Sequence, residues 1–388
     1  MDDLDPSQKR AVDLLCTKPF GIVTGGPGTG KTTCLRQALV RMERHEVRYA
    51  LAAPTGKAAK RMSEATGRAA STIHRLLGWK RTGFDHGADN TLPFDVVIID
   101  EASMLDVELA AALVGALDAR TRFMLVGDAN QLPSVGPGRV LADLVDYDVV
   151  PVARLERVHR AAQESWICRN APRVLAGKPL DLDPRPDFAF VQVEDATAIG
   201  KTVAELVSRP AYRASQVLSP QRTGACGVTA LNQTLQAELN PAAPEKHEWG
   251  LDGRVLREGD PVIHTVNNYQ LEVFNGEVGV LSCDVEERPY VRFEDREVFY
   301  GPMSLSQLQL AYALTVHKYQ GSEVAWAICI VHSAHSFMLT KQLFYTAITR
   351  AKKGVILVGN QDGLRQALST NRPEKRNTTL IERITGEL

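Results

Sequence analysis

Long apolar runs are missing from this chain. No stretch approaches the roughly twenty apolar residues that a membrane-spanning helix requires, and residues 1–10 (MDDLDPSQKR) are polar and acidic where a secretory leader would be apolar. Paired cysteines are missing too. Cys16, Cys34, Cys168, Cys226, Cys283 and Cys329 contain no CxxC pair, which argues against a zinc-ribbon or iron–sulfur module and for a reducing compartment. Net charge is nearly absent, −1 from 45 basic and 46 acidic side chains, so any nucleic-acid surface has to be local. A soluble, cytoplasmic protein is expected, and 388 residues suffice for two or three domains.

What is present is organised around residues 25–32 (GGPGTGKT). An apolar run, 20–23, reads as a buried strand before it, and 33–44 reads as a helix with Leu35, Leu39 and Met42 on one side. Strand, glycine-rich turn, then Gly-Lys-Thr entering a helix is the context in which this pattern acquires a mechanism. The glycines let backbone N–H groups close around phosphate oxygens, and the helix N-terminus adds its positive dipole end. Lys31 reaches the β- and γ-phosphates and the Thr32 hydroxyl binds Mg²⁺. Gly26, Pro27, Gly28, Thr29, Gly30 and Thr33 complete the expected triphosphate site.

Further candidates follow from strand ends. Residues 95–99 read as another buried strand, ending at Asp100 and Glu101, on the sheet edge that a parallel fold shares with the phosphate loop. Asp100 suits Mg²⁺, and Glu101 suits orienting and deprotonating an attacking water. An acidic pair capping the following helix is the alternative. The run 122–126 leads into GDANQLP, where Gln131 is placed to sense a γ-phosphate. Gln8, on a first amphipathic helix with Ala11, Val12, Leu14 and Leu15, either offers its amide to the N6/N7 edge of adenine or is a solvated helix residue.

Strands alternating with helices to this point describe a doubly wound parallel sheet. Lys57, Lys60, Arg61, Arg68, Arg75, Lys80 and Arg81 bias residues 57–81 positive, fitting either phosphodiester contacts or a solvated helix face. Residues 79–94 (WKRTGFDHGADNTLPF) read as a hairpin, 154–174 as a basic helix carrying His159, Arg160 and Arg169, and 180–186 (LDLDPRP) as a linker. A second α/β unit follows without a phosphate loop: strands at 188–193, 216–218, 309–314, 326–331 and 354–358, helices at 196–207, 227–239 and 341–350. Within it, 251–300 reads as a small antiparallel, barrel-like module.

The ordered stretches DPSQKRAV, TGGPGTGKTT, APTGKAAKRM with STIHRLLG, VVIIDEASMLD, LVGDANQLPSVGPG, LERVHRAAQESWI, LSPQRTGACGVTALN, GDPVIHTVNNYQLEVFNGEVG, LTVHKYQGSEV and FYTAITRAKK resemble superfamily-one DNA helicases of the RecD-like branch, the α-subunit type of exonuclease V. The resemblance implies an α/β fold of two RecA-like P-loop domains, 1–178 and 179–388, with a hairpin insertion at 79–94 in the first and an SH3-like β insertion at 251–305 in the second. It implies ATP and Mg²⁺ in the cleft between them, with Gln8 reading adenine and Glu323 holding the ribose. Arg160 and Arg350 act as arginine fingers beside Lys31, Glu101 and Gln131, since a permanent charge on a fixed fork of donors suits the γ-phosphate. Pro54, Thr55, Lys57, Thr72 and His74 on the first domain, and Thr315, His317 and Lys318 on the second, fall in its single-strand-contacting motifs.

The implied activity is 5′-to-3′ movement along single-stranded DNA by a monomer, with the 79–94 hairpin splitting duplex at a junction. A non-unwinding translocase, a nucleotide-switched subunit of a larger recombination or repair complex, and an RNA helicase are the alternatives. Protein partners in replication or repair, a nucleoid location and a bacterial or phage origin are expected, and no nuclease carboxylate constellation is seen. Two positions depart from the common pattern: Ala161 follows the finger arginine, and Tyr319 stands in HKYQG where serine is commoner, either stacking on a base or packing. The match begins almost at Gln8, so the long N-terminal region of many relatives is expected to be lacking.

Overall fold

The apolar run before the phosphate loop forms β1 (Phe20–Gly25), its four middle residues buried. Burial on both faces is what a central parallel strand requires. In the computed structural model, which describes residues 4–386 apart from 81, 159–163, 252, 269, 295 and 371–377, β1 lies inside a six-stranded sheet. The partners are β2 (Tyr49–Ala53), β3 (Ser71–Thr72), β6 (Val96–Ile99), β7 (Arg122–Gly127) and β8 (Val152–Leu155), in the order β3-β2-β6-β7-β1-β8. All five pairings are parallel. The chain leaves β1 and lands beyond β6 and β7, so the strand order switches beside β1, where open α/β sheets bind ligands.

Helices cover both faces. Leu14 and Leu15 of α1 (Pro6–Thr17), Leu35 and Leu39 of α2 (Lys31–Arg44) and Met62 of α3 (Gly56–Thr66) pack on one side. Ile73 of α4 (Ile73–Leu76), Leu113 of α5 (Val107–Gly115) and Leu141 of α6 (Val140–Asp146) pack on the other. The α1 start is fixed by a capping box: the Asp5 carboxylate accepts from the Gln8 N–H, and the Gln8 amide oxygen accepts from the Asp5 N–H at 3.2 Å. The expected hairpin is a pair of two-residue strands, β4 (Trp79–Lys80) and β5 (Gly83–Phe84).

The structure divides into two units, Met1–Glu164 with Arg372–Leu388, and Ser165–Asn371. The division therefore precedes the expected boundary at 178, and the C-terminal segment belongs with the first unit. The helix expected over 154–174 is also corrected. Arg154 and Leu155 end β8, which pairs with β1 along its whole length, residues 159–163 lie outside the described residues, and among the described ones a helix runs over Trp166–Leu175, in the second unit. The spacing of basic residues suggested a helix that the backbone ladder overrides. Residues 180–186 are not a linker between units, since buried Asn170 brackets Asp181 through both backbone groups at 3.1 Å.

The second unit holds a five-stranded parallel sheet: β9 (Phe188–Gln192), β10 (Gln216–Ser219), β18 (Ala313–Thr315), β19 (Val324–Val331) and β20 (Ala351–Gly359), in the order β18-β10-β19-β20-β9. Its insertion is an antiparallel sheet, β16-β15-β14-β13-β17, formed by β13 (Pro261–His264), β14 (Val278–Cys283), β15 (Pro289–Arg292), β16 (Glu297–Phe299) and β17 (Leu308–Leu310). A separate ribbon pairs β11 (Glu248–Leu251) with β12 (Arg254–Arg257). The strand expected over 309–314 is split, because β17 closes the insertion's sheet while β18 starts the next edge of the parallel one.

Asp260 joins the insertion to the α/β layer. Fully buried, it accepts from Gln236 Nε2 at 2.6 Å, the Arg257 N–H at 2.7 Å, Asn240 Nδ2 at 2.8 Å and the Tyr312 hydroxyl at 2.8 Å. Removing it strands four donors at once, three of them half-buried and Asn240 buried. Asp260→Ala is predicted to destabilise the chain by about 3 kcal/mol, read as a lowered urea midpoint.

Candidate active site

The phosphate loop is set by backbone geometry that side chains resist. Gly28 and Gly30 have φ of 72° and 87°, which glycine alone adopts without strain. A Cβ at Gly25 would lie 2.7 Å from the Leu155 carbonyl and from Thr29 Oγ1. The Thr29 hydroxyl donates to the Gly26 carbonyl at 2.9 Å, and Lys31 Nζ donates to the Gly25 and Gly26 carbonyls at 2.5 and 3.1 Å. The ammonium is thus curled into the loop, on neutral acceptors that anionic phosphate oxygens would outcompete. Thr32 and Thr33 lie in the exposed first turn of α2.

Neighbouring strands deliver the acids to this edge. Asp100 and Glu101 follow β6, and a cavity of about 20 Å³ is bordered by Thr32, Arg61, Asp100 and Glu101. Asp100 Oδ1 accepts from the Glu101 N–H at 2.8 Å. Burial, and then the Glu101 charge, push its carboxyl well above the ordinary range, while Arg61 and Lys31 pull it down. Glu101 has φ of 51°, a left-handed conformation costly for a residue with a side chain, and is followed by a single 3₁₀ turn (Ala102–Met104) instead of an α-helix. It is ion-paired with Arg61 at 3.3 Å. Gln131 is buried after β7, with Nε2 3.4 Å from Asp128 Oδ2, and the Ala129 N–H binds Thr24 Oγ1 at 3.2 Å, joining the ends of β7 and β1. Gln8 is buried, not solvated, and its Nε2 donates to the Thr29 carbonyl of the phosphate loop at 3.4 Å.

The threonines expected to meet a nucleic acid share one arrangement. Thr55 follows β2, Thr72 ends β3 and Thr315 ends β18. Their hydroxyl oxygens accept from the Ala58, Arg75 and Lys318 N–H groups at 3.2, 3.1 and 3.2 Å. A capping hydroxyl uses its oxygen and keeps its own proton to donate. Pro54 precedes Thr55 at the end of β2, and Lys57 lies in the first turn of α3. His74 packs edge-on to Trp79 with centroids 6.0 Å apart and lies 5.9 Å from Phe84, and burial lowers its pKa. It therefore braces the hairpin as a neutral ring.

In the second unit, half-buried Lys318 donates to Gln309 at 3.3 Å, and burial, Arg222 and Arg254 lower its pKa. His317 lies beside it, half-buried. Arg350 is buried, with Nη1 donating to the Ser322 carbonyl at 3.3 Å. Glu323 is ion-paired with Lys352 at 3.0 Å. Tyr319 packs: it is buried, and its hydroxyl donates to the Glu323 carbonyl at 3.3 Å. Arg160 and Ala161 lie outside the described residues.

Sequence reasoning missed Arg61 as the partner of Glu101, and Arg222 and Arg254 as neighbours of Lys318. Arg61 was legible only as a helix-face charge, and Arg222 sits in the loop directly after β10.

Two parallel sheets, one edged by a phosphate loop with a lysine and an acidic pair, define a P-loop protein with two RecA-like domains. Residues 8–137 match the family described as AAA domain, 231–293 the ATP-dependent RecD-like DNA helicase SH3 domain, and 310–358 the UvrD-like helicase C-terminal domain. The chain is 38% identical to the ATP-dependent RecD2 DNA helicase of Deinococcus radiodurans over 98% of its own length and 52% of the relative's. It is 34% identical to the RecBCD enzyme subunit RecD of Mycobacterium tuberculosis, covering 93% of this chain and 70% of that one. The fold matches a structure of Pif1 helicases at forked duplex DNA, with TM-score 0.60 and 19% identity over 95% of this chain and 94% of that one. The chain belongs to the RecD-like family of superfamily-one helicases. It spans about half the length of the Deinococcus relative. Among the described residues, no helix is long and apolar enough to cross a membrane.

The Arg61–Glu101 pair yields a prediction of its own. Arg61→Ala is predicted to lower the turnover number for nucleotide hydrolysis about tenfold, matching the loss of ~1.4 kcal/mol of orientation, with a smaller change in KM, measured by steady-state phosphate release.

Proposed function

We propose that this chain is an ATP-driven translocase that moves 5′ to 3′ on single-stranded DNA and separates duplex ahead of it. The observation that carries the proposal is the meeting of Thr32, Asp100, Glu101 and Arg61 around one small cavity at the sheet edge that bears the phosphate loop. In this reading Lys31 and the loop N–H groups hold the β- and γ-phosphates. The donors beside the loop, the Thr32 hydroxyl and the Asp100 carboxylate, are hard oxygens that fit Mg²⁺, which would neutralise phosphate charge when bound. Occupation of that position by a cation would also favour the ionised form that burial of Asp100 opposes.

Glu101 takes the proton of the attacking water and Gln131 contacts the γ-phosphate. Gln8, already bonded to the loop, reads adenine, and Glu323 contacts the ribose after leaving Lys352. Arg160 and Arg350 stabilise charge on the transferred phosphoryl group. Pro54, Thr55, Lys57, Thr72 and His74, with Thr315, His317 and Lys318, grip the strand: the threonine O–H groups and lysines bind phosphodiesters, contacts that position a strand without reading its sequence. Trp79, 47% exposed on its hairpin, is the wedge at the single-strand/duplex junction. A monomer acting at the nucleoid is proposed. A second reading, a motor subunit of a larger recombination complex, is favoured by the similarity to RecD subunits of RecBCD enzymes.

The test offers the purified chain duplexes carrying a 5′ or a 3′ single-stranded tail, with ATP and Mg²⁺. Unwinding from the 5′ tail alone is predicted, and unwinding from the 3′ tail alone would overturn the polarity. Strand-stimulated hydrolysis without unwinding would favour the subunit reading. Lys31→Ala is predicted to reduce hydrolysis on the order of a hundredfold, and Arg350→Ala on the order of a thousandfold.

A further inference from the structure

Away from the nucleotide and strand contacts, the insertion of the second unit brings together three residues that no function above uses. His247 precedes β11, Glu258 follows β12, and Cys283 is the last residue of β14. One ligand atom from each lies within 4.8 Å of the others, and all three side chains are half-buried, so a dissolved ion can reach them. This is the one such mixed group among the described residues. An imidazole nitrogen, a thiol sulfur and a carboxylate oxygen make a donor set that suits zinc and does not suit Mg²⁺ or Ca²⁺, which take oxygen.

The backbone beneath these side chains is already fixed. The Glu258 N–H donates to the His247 carbonyl at 2.9 Å, continuing the β11–β12 ladder by one step. The Gly259 N–H donates to the Leu281 carbonyl at 2.8 Å, and the Leu281 N–H to the Asp260 carbonyl at 2.9 Å, which seats the chain after Glu258 against β14. The Ser282 hydroxyl donates to Glu258 Oε1 at 3.4 Å, an outer partner of the kind that orients a ligating carboxylate. Asp284 and Glu287 add negative charge near Cys283. Tetrahedral zinc separates sulfur and nitrogen ligands by about 3.5 Å, so rotamer adjustment on a fixed backbone suffices to close the set.

We propose that His247, Glu258 and Cys283 form a zinc-binding site, with water as fourth ligand, that ties the β11–β12 ribbon to the five-stranded sheet of the insertion. Zinc accepts the imidazole lone pair and one carboxylate oxygen, and the Cys283 thiol gives its proton to solvent as the sulfur–zinc bond forms. The absence of a CxxC pair hid this set, since its three ligands lie apart in the chain, beside β11, beside β12 and at the end of β14.

The full chain, stripped of metal with a chelator, is titrated with Co²⁺ as a spectroscopic probe. A thiolate-to-cobalt charge-transfer band at one equivalent per chain is expected, displaced by Zn²⁺. Cys283→Ser is expected to abolish the band, and His247→Ala to weaken affinity at least about tenfold. Absence of the band in the wild type, or its survival in Cys283→Ser, would overturn the proposal. Unmutated protein supplies an independent arm: Zn²⁺ is expected to protect Cys283 from alkylation, read by peptide mass spectrometry, and alkylation unchanged by Zn²⁺ would overturn it.

Discussion

Backbone N–H groups close on a polyanion only where no side chain intrudes and the loop is held from behind. Both conditions meet at residues 25–31. Gly28 and Gly30 turn the chain through left-handed geometry, and Gly25 passes so close to Leu155 that a methyl group would collide. That contact requires β8 beside β1, and β1 must be buried on both faces to hold the loop level. The order of the first sheet, the helices covering it and the capping box that seats Gln8 against Thr29 all serve this geometry.

A second constraint is electrostatic. Asp100 and Glu101 are adjacent carboxylates in a site that disfavours charge on Asp100. Three cations answer them: Arg61 by direct ion pairing with Glu101, Lys31 through the field, and, in the proposed function, a Mg²⁺ ion. The strained backbone at Glu101 fits a residue aimed by its surroundings. Lys31 rests on loop carbonyls, weaker partners than the phosphate oxygens of a bound triphosphate would be, while Glu101 rests on the Arg61 guanidinium.

Much of this was legible in the sequence for a physical reason. Runs such as 20–23 and 96–99 are apolar without alternation because parallel strands are buried on both faces, and the polar residues that end them mark the ligand edge. The insertion was legible from its alternation and its glycine-rich breaks. β8 was not, because its exposed Arg154 merged with basic residues that follow it. Arg61 was not, because a helix-face arginine looks solvated until a residue forty positions away meets it. Asp260 and the His247–Glu258–Cys283 group escaped for the same reason, since each depends on strands brought together only by folding. Tyr319, ambiguous in sequence, is settled by burial.

The central claim is that Glu101 activates water at a site whose binding power lies elsewhere, in the loop and Lys31. The direct measurement is a pair of constants for Glu101→Gln: affinity for a fluorescent ATP analogue, and the rate of ATP hydrolysis with single-stranded DNA present. Affinity unchanged within about twofold, with hydrolysis reduced at least about a hundredfold, is the predicted result. Hydrolysis that persists in Glu101→Gln, with binding intact, would contradict the account.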